Sequence, residues 1–331
     1  MKKIFAPKLK AGDNVRVIAP ANGLADSLVN EYKLKAIKKF QELNLNLSFS
    51  KHANERDEFN SSSIDSRLTD LHDAFSDPSI KMVIAVCGGF NSNQLLKYID
   101  YKLIQKNPKI FCGYSDITAL SNAIFAKTGL VTYSGPDFLA FGEEMEFEYT
   151  LDYFKKCLFS NQAFSIKPSP RWVGDCEIKT RSKNKNKPIK NEGYWIINKG
   201  QAQGQIIGGN QCTLNLLQGT EFMPDIKNSI LFLEDDYEAH SGTIDRDLQS
   251  IIHLPDFKYV RAIIFGRFES ASKINRSLMT KIIKSKKELN NIPVIANADF
   301  GHTGPLITFP IGGTAKVSVK NNKVRLEIIK H

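Results

Sequence analysis

Over the first 160 residues, short β-rich runs alternate with longer stretches whose apolar residues recur at spacings of three and four. The runs predict strands over 15–19, 45–49, 82–87, 110–112 and 131–133, and the stretches between them predict helices over 28–43, 64–75, 93–104 and 117–125. Strands separated by helices cannot close as hairpins. Each connection must cross over the sheet, which makes neighbouring strands parallel and covers both faces with helices. The expected class is α/β, with an N-terminal flavodoxin-like or Rossmann-like parallel sheet.

The second half keeps this character less regularly. Strands are expected over 205–207, 229–233, 259–265 and 294–296, with a closing hairpin of 315–319 and 324–329 turning at Asn321-Asn322. Helical patterns occupy 213–217, 243–252 and 277–289. Residues 165–200 are rich in Pro, Lys and Asn and read as a crossing, ordered in part around Trp172 and Trp195. With 331 residues, and roughly 150 per domain as a prior, the chain divides into a domain at 1–165, a linker with a basic loop at 166–200, and a smaller C-terminal α/β domain, of a swivelling β/β/α-like kind, at 201–331.

Composition removes several classes. At 42% hydrophobic and 24% charged residues the chain has an ordinary globular balance, so disorder is not expected. No apolar run approaches the ~18 residues of a membrane span, and Ile4-Phe5-Ala6 is too short for the ~7 to 15 apolar residues of a secretory signal, so a cytoplasmic protein is expected. The five cysteines (87, 112, 157, 176 and 212) are odd in number and form no Cys-x-x-Cys pair, which disfavours disulfides and structural zinc. Cys87 and Cys112 end apolar runs and read as small buried hydrophobes. Of the net charge of +10, six basic groups fall within 179–190, leaving +4 elsewhere. That segment carries no aromatic residues for base stacking, so it reads as a solvated loop and not as a nucleic-acid site.

Parallel sheets bind ligands beyond the carboxyl ends of their strands, and three turns there stand out: Pro20-Ala21-Asn22-Gly23, Gly88-Gly89-Phe90-Asn91 and Gly113-Tyr114-Ser115-Asp116. The third resembles a nucleophile elbow without its second glycine, and its plainer reading is that Ser115 caps the following helix. Gly88-Gly89 suits an oxyanion hole or a phosphate cradle, or is simply a tight turn. Neither Gly-x-Gly-x-x-Gly nor a P-loop is present. Of the six histidines, His52, His72, His253 and His331 read as surface or capping residues. His240 and His302 remain as bases, and His302, in a glycine-rich turn directly after a strand, can reach across a cleft. A base histidine needs a partner to fix its tautomer. Glu234, at the end of the apolar strand Ile230-Leu231-Phe232-Leu233, is the best candidate, although an exposed acidic loop or a metal site would also account for the run from Glu234 to Glu238.

Taken together, Gly-Tyr-Ser-Asp, Gly208-Gly209-Asn210, Leu233-Glu234-Asp235 and Gly301-His302-Thr303-x-Pro305 resemble the serine peptidases that comprise LD-carboxypeptidases and microcin C self-immunity proteins. The likeness runs from Val17-Ile18-Ala19-Pro20 to Phe309-Pro310-Ile311-Gly312-Gly313. It implies a triad of Ser115, Glu234 and His302 at the junction of two domains, with an oxyanion hole from the backbone N–H groups of Gly89 and Asp116. It also implies no metal or cofactor, a cytoplasmic homodimer, and a small peptide or peptidyl-nucleotide as substrate. Gly88, Asn210, Trp195 and Glu238 are the expected substrate-binding residues. Asn191-Glu192-Gly193-Tyr194-Trp195 and 245–250 look more like the immunity-type branch, whereas Glu238, an acid after the strand end, suits an amine-bearing muropeptide better than a phosphate. A non-catalytic ligand-binding protein on the same scaffold, using Gly88-Gly89 and Trp195, is the alternative.

Overall fold

The computed structural model describes residues 2–24, 30–174 and 187–331. Two sheets organise it. The first is built from β1 (Asn14–Ile18), β2 (Asn46–Phe49), β3 (Ile80–Ala85), β4 (Ile110–Gly113) and β5 (Thr132–Ser134), all parallel, in the order β2-β1-β3-β4-β5. This is the flavodoxin-like order, whose switch point lies between β1 and β3. The helices α1 (Asn30–Glu42), α2 (Ile64–Ser76) and α4 (Ile117–Thr128) form near the predicted ranges. The helix expected over 93–104 is broken instead. A 3₁₀ turn at Ser92–Leu95 is followed by α3 (Tyr101–Lys106), because the Asp100 side chain accepts from Leu103 N–H and starts a new helix there.

The second sheet has eight strands: β6 (Phe164–Ile166), β9 (Trp195–Asn198), β10 (Gly200–Asn210), β11 (Ser229–Glu234), β12 (Ala262–Gly266), β13 (Val294–Ala298), β15 (Thr314–Lys320) and β16 (Lys323–Lys330). Its centre, β10-β11-β12-β13, is parallel, and antiparallel strands flank it. The stretch read as a crossing therefore supplies both edges of this sheet, β6 and β9. Short apolar segments set among Lys, Pro and Asn hid them. Within the same stretch β7 (Arg171–Trp172) pairs with β8 (Ile189–Lys190), so the end of the basic segment is paired backbone; residues 179–186 of it, and Cys176, lie outside the described residues. Helix α5 (Phe147–Leu158), outside the predicted helical ranges, packs Phe147 and Phe154 against Phe141.

One strand crosses between the sheets. Phe309–Ile311 (β14) runs antiparallel to β5 and completes the first sheet as its sixth strand. Pro310 is tolerated because the strand is an edge, where a missing N–H costs no ladder bond. His331, expected at the surface, is buried: its ring meets Phe164 edge-on and bonds the carbonyls of Cys157 and Gln162. The packing of β16 on β6 carries the chain's last residue inward. Among the described residues no helix is long and apolar enough to cross a membrane.

Candidate active site

Ser115 occupies the turn from β4 into α4 with φ at +60°, a left-handed conformation that a non-glycine residue adopts only when its surroundings hold it there. Its hydroxyl does not cap the helix. It lies 2.9 Å from His302 Nε2, and Asp116 takes the N-cap position without a side-chain bond to the helix. Gly88 lies against it: a Cβ on Gly88 would stand 2.8 Å from Ser115 Cβ and 2.9 Å from Oγ, so only glycine allows the approach.

The imidazole comes from the second sheet. His302 sits in the turn between β13 and β14, where Phe300 packs on Phe232 and Phe309. Gly301, at φ +108°, passes Glu234 so closely that a Cβ would lie 2.8 Å from its Oε2. Glu234 ends the fully buried strand β11, and its Oε2 is 2.7 Å from His302 Nδ1. The carboxylate is 3% exposed and the ring 13%, so the pair is shielded from water while the ring remains reachable from the crevice. Burial opposes the ring's charge, but Glu234, through its charge and hydrogen bond, with Asp236 and Glu269 behind it, outweighs burial and raises the imidazole to about 9. Tyr114 lies beside the ring, centroid to centroid 5.4 Å.

The neighbouring loop is fixed from below. Among the described residues the N–H groups of Gly89 and Asp116 donate to no protein acceptor. The Asp116 carboxylate accepts from Ser92 N–H at 2.8 Å, and Ser92 Oγ donates to the Asp116 carbonyl at 2.8 Å. Arg67, buried, donates to the Pro20 carbonyl at 3.2 Å, to Asn91 carbonyl and Oδ1 at 3.1 Å each, and to Gln94 Oε1 at 2.7 Å. One guanidinium thus ties together the turns that leave β1 and β3.

The other expected site residues lie differently. Asn210 is buried; its Oδ1 accepts from Thr213 N–H at 3.0 Å as a helix N-cap, and its Nδ2 donates to Asp235 Oδ1 at 3.3 Å. Trp195 stands in edge strand β9, opposite Ala296, with its indole N–H donated to Glu192 Oε1 at 2.5 Å, and no hydrogen bond joins it to the Ser115–His302–Glu234 cluster. Glu238 is exposed in the turn after β11, its N–H bonded to Asp236 Oδ1 at 2.9 Å. His240 caps the helix Ser241–Ile252. Asp235 stands in the Leu233-Glu234-Asp235 motif with no role expected of its own. It is buried, and burial together with the charges of Glu234 and Asp236 pushes its carboxyl up to about 7. Arg67 carried no signal beyond its place in a helical pattern. No group of three or more His, Cys, Asp or Glu is placed to hold a metal among the described residues.

A hydroxyl, an imidazole and a buried carboxylate in hydrogen-bonded series, beside unengaged backbone N–H groups, is the arrangement of acyl-transfer hydrolases. The chain belongs to the LD-carboxypeptidase family: residues 15–135 match its N-terminal domain and residues 203–317 its C-terminal domain. It is 49% identical over 328 residues to the carboxypeptidase-named protein YocD of Bacillus subtilis (strain 168), covering 99% of this chain and 100% of that one. Among solved structures, an MccF-like protein from Bacillus anthracis str. Ames superposes with a TM-score of 0.96 at 49% identity, covering 99% and 100% of the two chains. The microcin C7 self-immunity protein MccF in complex with aspartyl sulfamoyl adenosine superposes at 0.89 with 30% identity and 99% of each chain covered. The family is one of peptidases, and both its fold and the two-sheet α/β architecture are those of this chain.

Proposed function

We propose that the protein is a serine-type carboxypeptidase in which Ser115 is the nucleophile, His302 the general base and acid, and Glu234 the group that orients the ring. The observation that carries this reading is the unbroken relay from Ser115 Oγ to His302 Nε2 at 2.9 Å and from His302 Nδ1 to Glu234 Oε2 at 2.7 Å. Ser115 Oγ forms the new bond to the amide carbon while its proton passes to Nε2. The carbonyl oxygen takes up negative charge against the N–H groups of Gly89 and Asp116, each donor worth about 3 to 4 kcal/mol, or roughly 10² to 10³ in rate. His302 returns the proton to the leaving amine as the C–N bond breaks, and water then releases the acyl group by the same route. Glu234 holds the Nδ1–H tautomer and stabilises the imidazolium.

The charge around this relay supports one substrate class over another. The turn after β11 presents Asp236 and Glu238 and no cation, which favours a small peptide carrying a free amine, such as a muropeptide tetrapeptide, over a substrate recognised through phosphate. The likeness to MccF bound to aspartyl sulfamoyl adenosine supports a second reading, cleavage of an amide between an acidic amino acid and a nucleotide. Incubation with each compound, read by mass spectrometry, separates the two. Ser115→Ala should lower turnover by ~10⁶-fold with the fold intact; substantial hydrolysis by that variant removes the assignment.

A further inference from the structure

Three residues ahead of His302, Asp299 is wholly buried, and its carboxylate is the meeting point of four chain segments. It stands 2.7 Å from Arg267 Nη2 as an ion pair and accepts hydrogen bonds from Ser169 N–H at 2.7 Å and Ser169 Oγ at 2.8 Å and, at 3.3 Å each, from Asn191 Nδ2 and Tyr149 Oη. Arg267 is buried as well; its Nε donates to Asn297 Oδ1 at 3.0 Å, and its guanidinium lies 5.2 Å from the centre of the Trp172 ring. The main chain of the same turn is held on both sides of the histidine. Ile307 N–H donates to the Asp299 carbonyl at 2.7 Å, Arg267 N–H to the Phe300 carbonyl at 3.2 Å, and Val173 and Gly304 exchange a pair of bonds at 2.6 and 3.0 Å.

A buried ion pair is a poor source of net stability. Desolvating two charges offsets their attraction, and apolar residues of similar volume often serve as well. Direction comes instead from the bonds around the pair: Ser169 grips the carboxylate at two points through its N–H and Oγ, and Arg267 is itself fixed by its Nε bond to Asn297. Here that direction is imposed at the root of the turn bearing the imidazole. We propose that Asp299 and Arg267 are positioning residues for His302, holding the 299–307 turn so that the ring stands between Ser115 and Glu234. Neither side chain bonds Ser115, His302 or Glu234. The pair acts through the turn's backbone, and it links the 166–200 stretch, through Ser169 and Asn191, to the placement of the base. The proposal rests on the reading of Ser115 and His302 as nucleophile and base.

The test uses the double variant Asp299→Asn with Arg267→Met, which removes both charges together, alongside Ser169→Ala, which removes one donor and leaves no charge unpaired. The rate at which a fluorophosphonate labels Ser115 reports the base without any peptide-binding contribution. In the folded double variant, labelling and kcat should both fall by about 10- to 100-fold with KM unchanged, the loss expected from misplacing a catalytic group by up to ~1 Å. Ser169→Ala should lose a smaller factor in the same two readouts, and Arg267→Lys with Asp299 intact should retain more activity than the double variant. If the double variant does not fold, Ser169→Ala and Arg267→Lys decide. Wild-type labelling rates in the folded variants overturn the positioning role while leaving the nucleophile in place. Failure of the wild-type protein to label at Ser115, with a Ser115→Ala control for background, overturns the catalytic reading and the positioning role with it.

Discussion

Replacing Glu234 by glutamine keeps the shape of the side chain and an acceptor for His302 Nδ1–H but removes the charge. The rise of the imidazole from 6.5 to about 9 amounts to roughly 3 kcal/mol in favour of imidazolium, at 1.36 kcal/mol per tenfold change. Burial works against that rise, so the carboxylate supplies more than the net figure. An opposite charge ~4 Å away at an effective dielectric of ~20 contributes about 4 kcal/mol, the right size. In Glu234→Gln the ring should therefore titrate at or below its ordinary value. Two consequences are measurable in kcat/KM against pH. The acidic limb, which rises as the ring loses its proton and should fall near 9 in the wild-type free enzyme, should move down by at least about 2.5 pH units in the variant. The plateau should fall by about 10² to 10⁴, because the imidazolium formed during attack has lost its counter-charge and the tautomer its anchor. The same shift has a stability counterpart: the pair's contribution is full below pH 6.5 and lost as pH rises through about 9, so the stability gap between wild type and variant should narrow across that window. A variant whose limb stays in place and whose plateau is unchanged refutes the role given to Glu234.

Two further perturbations test the surroundings. The carboxyl of Asp235 is raised from 3.8 to about 7 in the folded chain, so whatever stability its proton supports is lost as pH rises through 7; Asp235→Asn, which keeps the neutral form, should gain on wild type by up to roughly 4 kcal/mol at pH 8 and by clearly less at pH 5. Urea unfolding at the two pH values measures this, and an equal difference at both removes the explanation. Gly88→Ala places a methyl group 2.8 Å from Ser115 Cβ and should displace the hydroxyl enough to cost about 10²-fold in kcat, with thermal stability changed far less; full activity in that variant means the turn is free to yield.

The first sheet was legible because its signal is local and repeated. Each strand of β1 to β5 is an apolar run bounded by turn residues; the turn after Gly113 carries Ser115, Gly88 lies against that serine, and the turn after Pro20 bonds Gly88 in its place through Asn22 N–H. Strand ends made Ser115, Glu234 and His302 candidates, but a helix cap or an acidic loop explained the first two as well, and it was the family resemblance that joined the three into one expected site. What escaped was non-local. Arg67 and Asp299 find their partners tens to more than a hundred residues away, and no spacing rule announces a buried guanidinium that donates to carbonyls. Trp195 read as part of a linker because its strand is four residues long and its pairing partner, Ala296, is a hundred positions distant. Asn210 sits in a motif suggestive of ligand contact, yet its side chain is engaged in capping a helix.

The strand exchanged between the sheets has a mechanical corollary. Ala298 ends a strand of the second sheet and Phe309 begins one of the first, so the tether bearing the imidazole, the ten residues between them, is anchored at its two ends to different slabs of the molecule. Spreading the slabs must stretch this tether or strip Phe309–Ile311 from its neighbour, uncovering an unpaired rim of backbone in the process. The gap between hydroxyl and ring is accordingly set by chain connectivity as well as by the contacts that hold the turn in place.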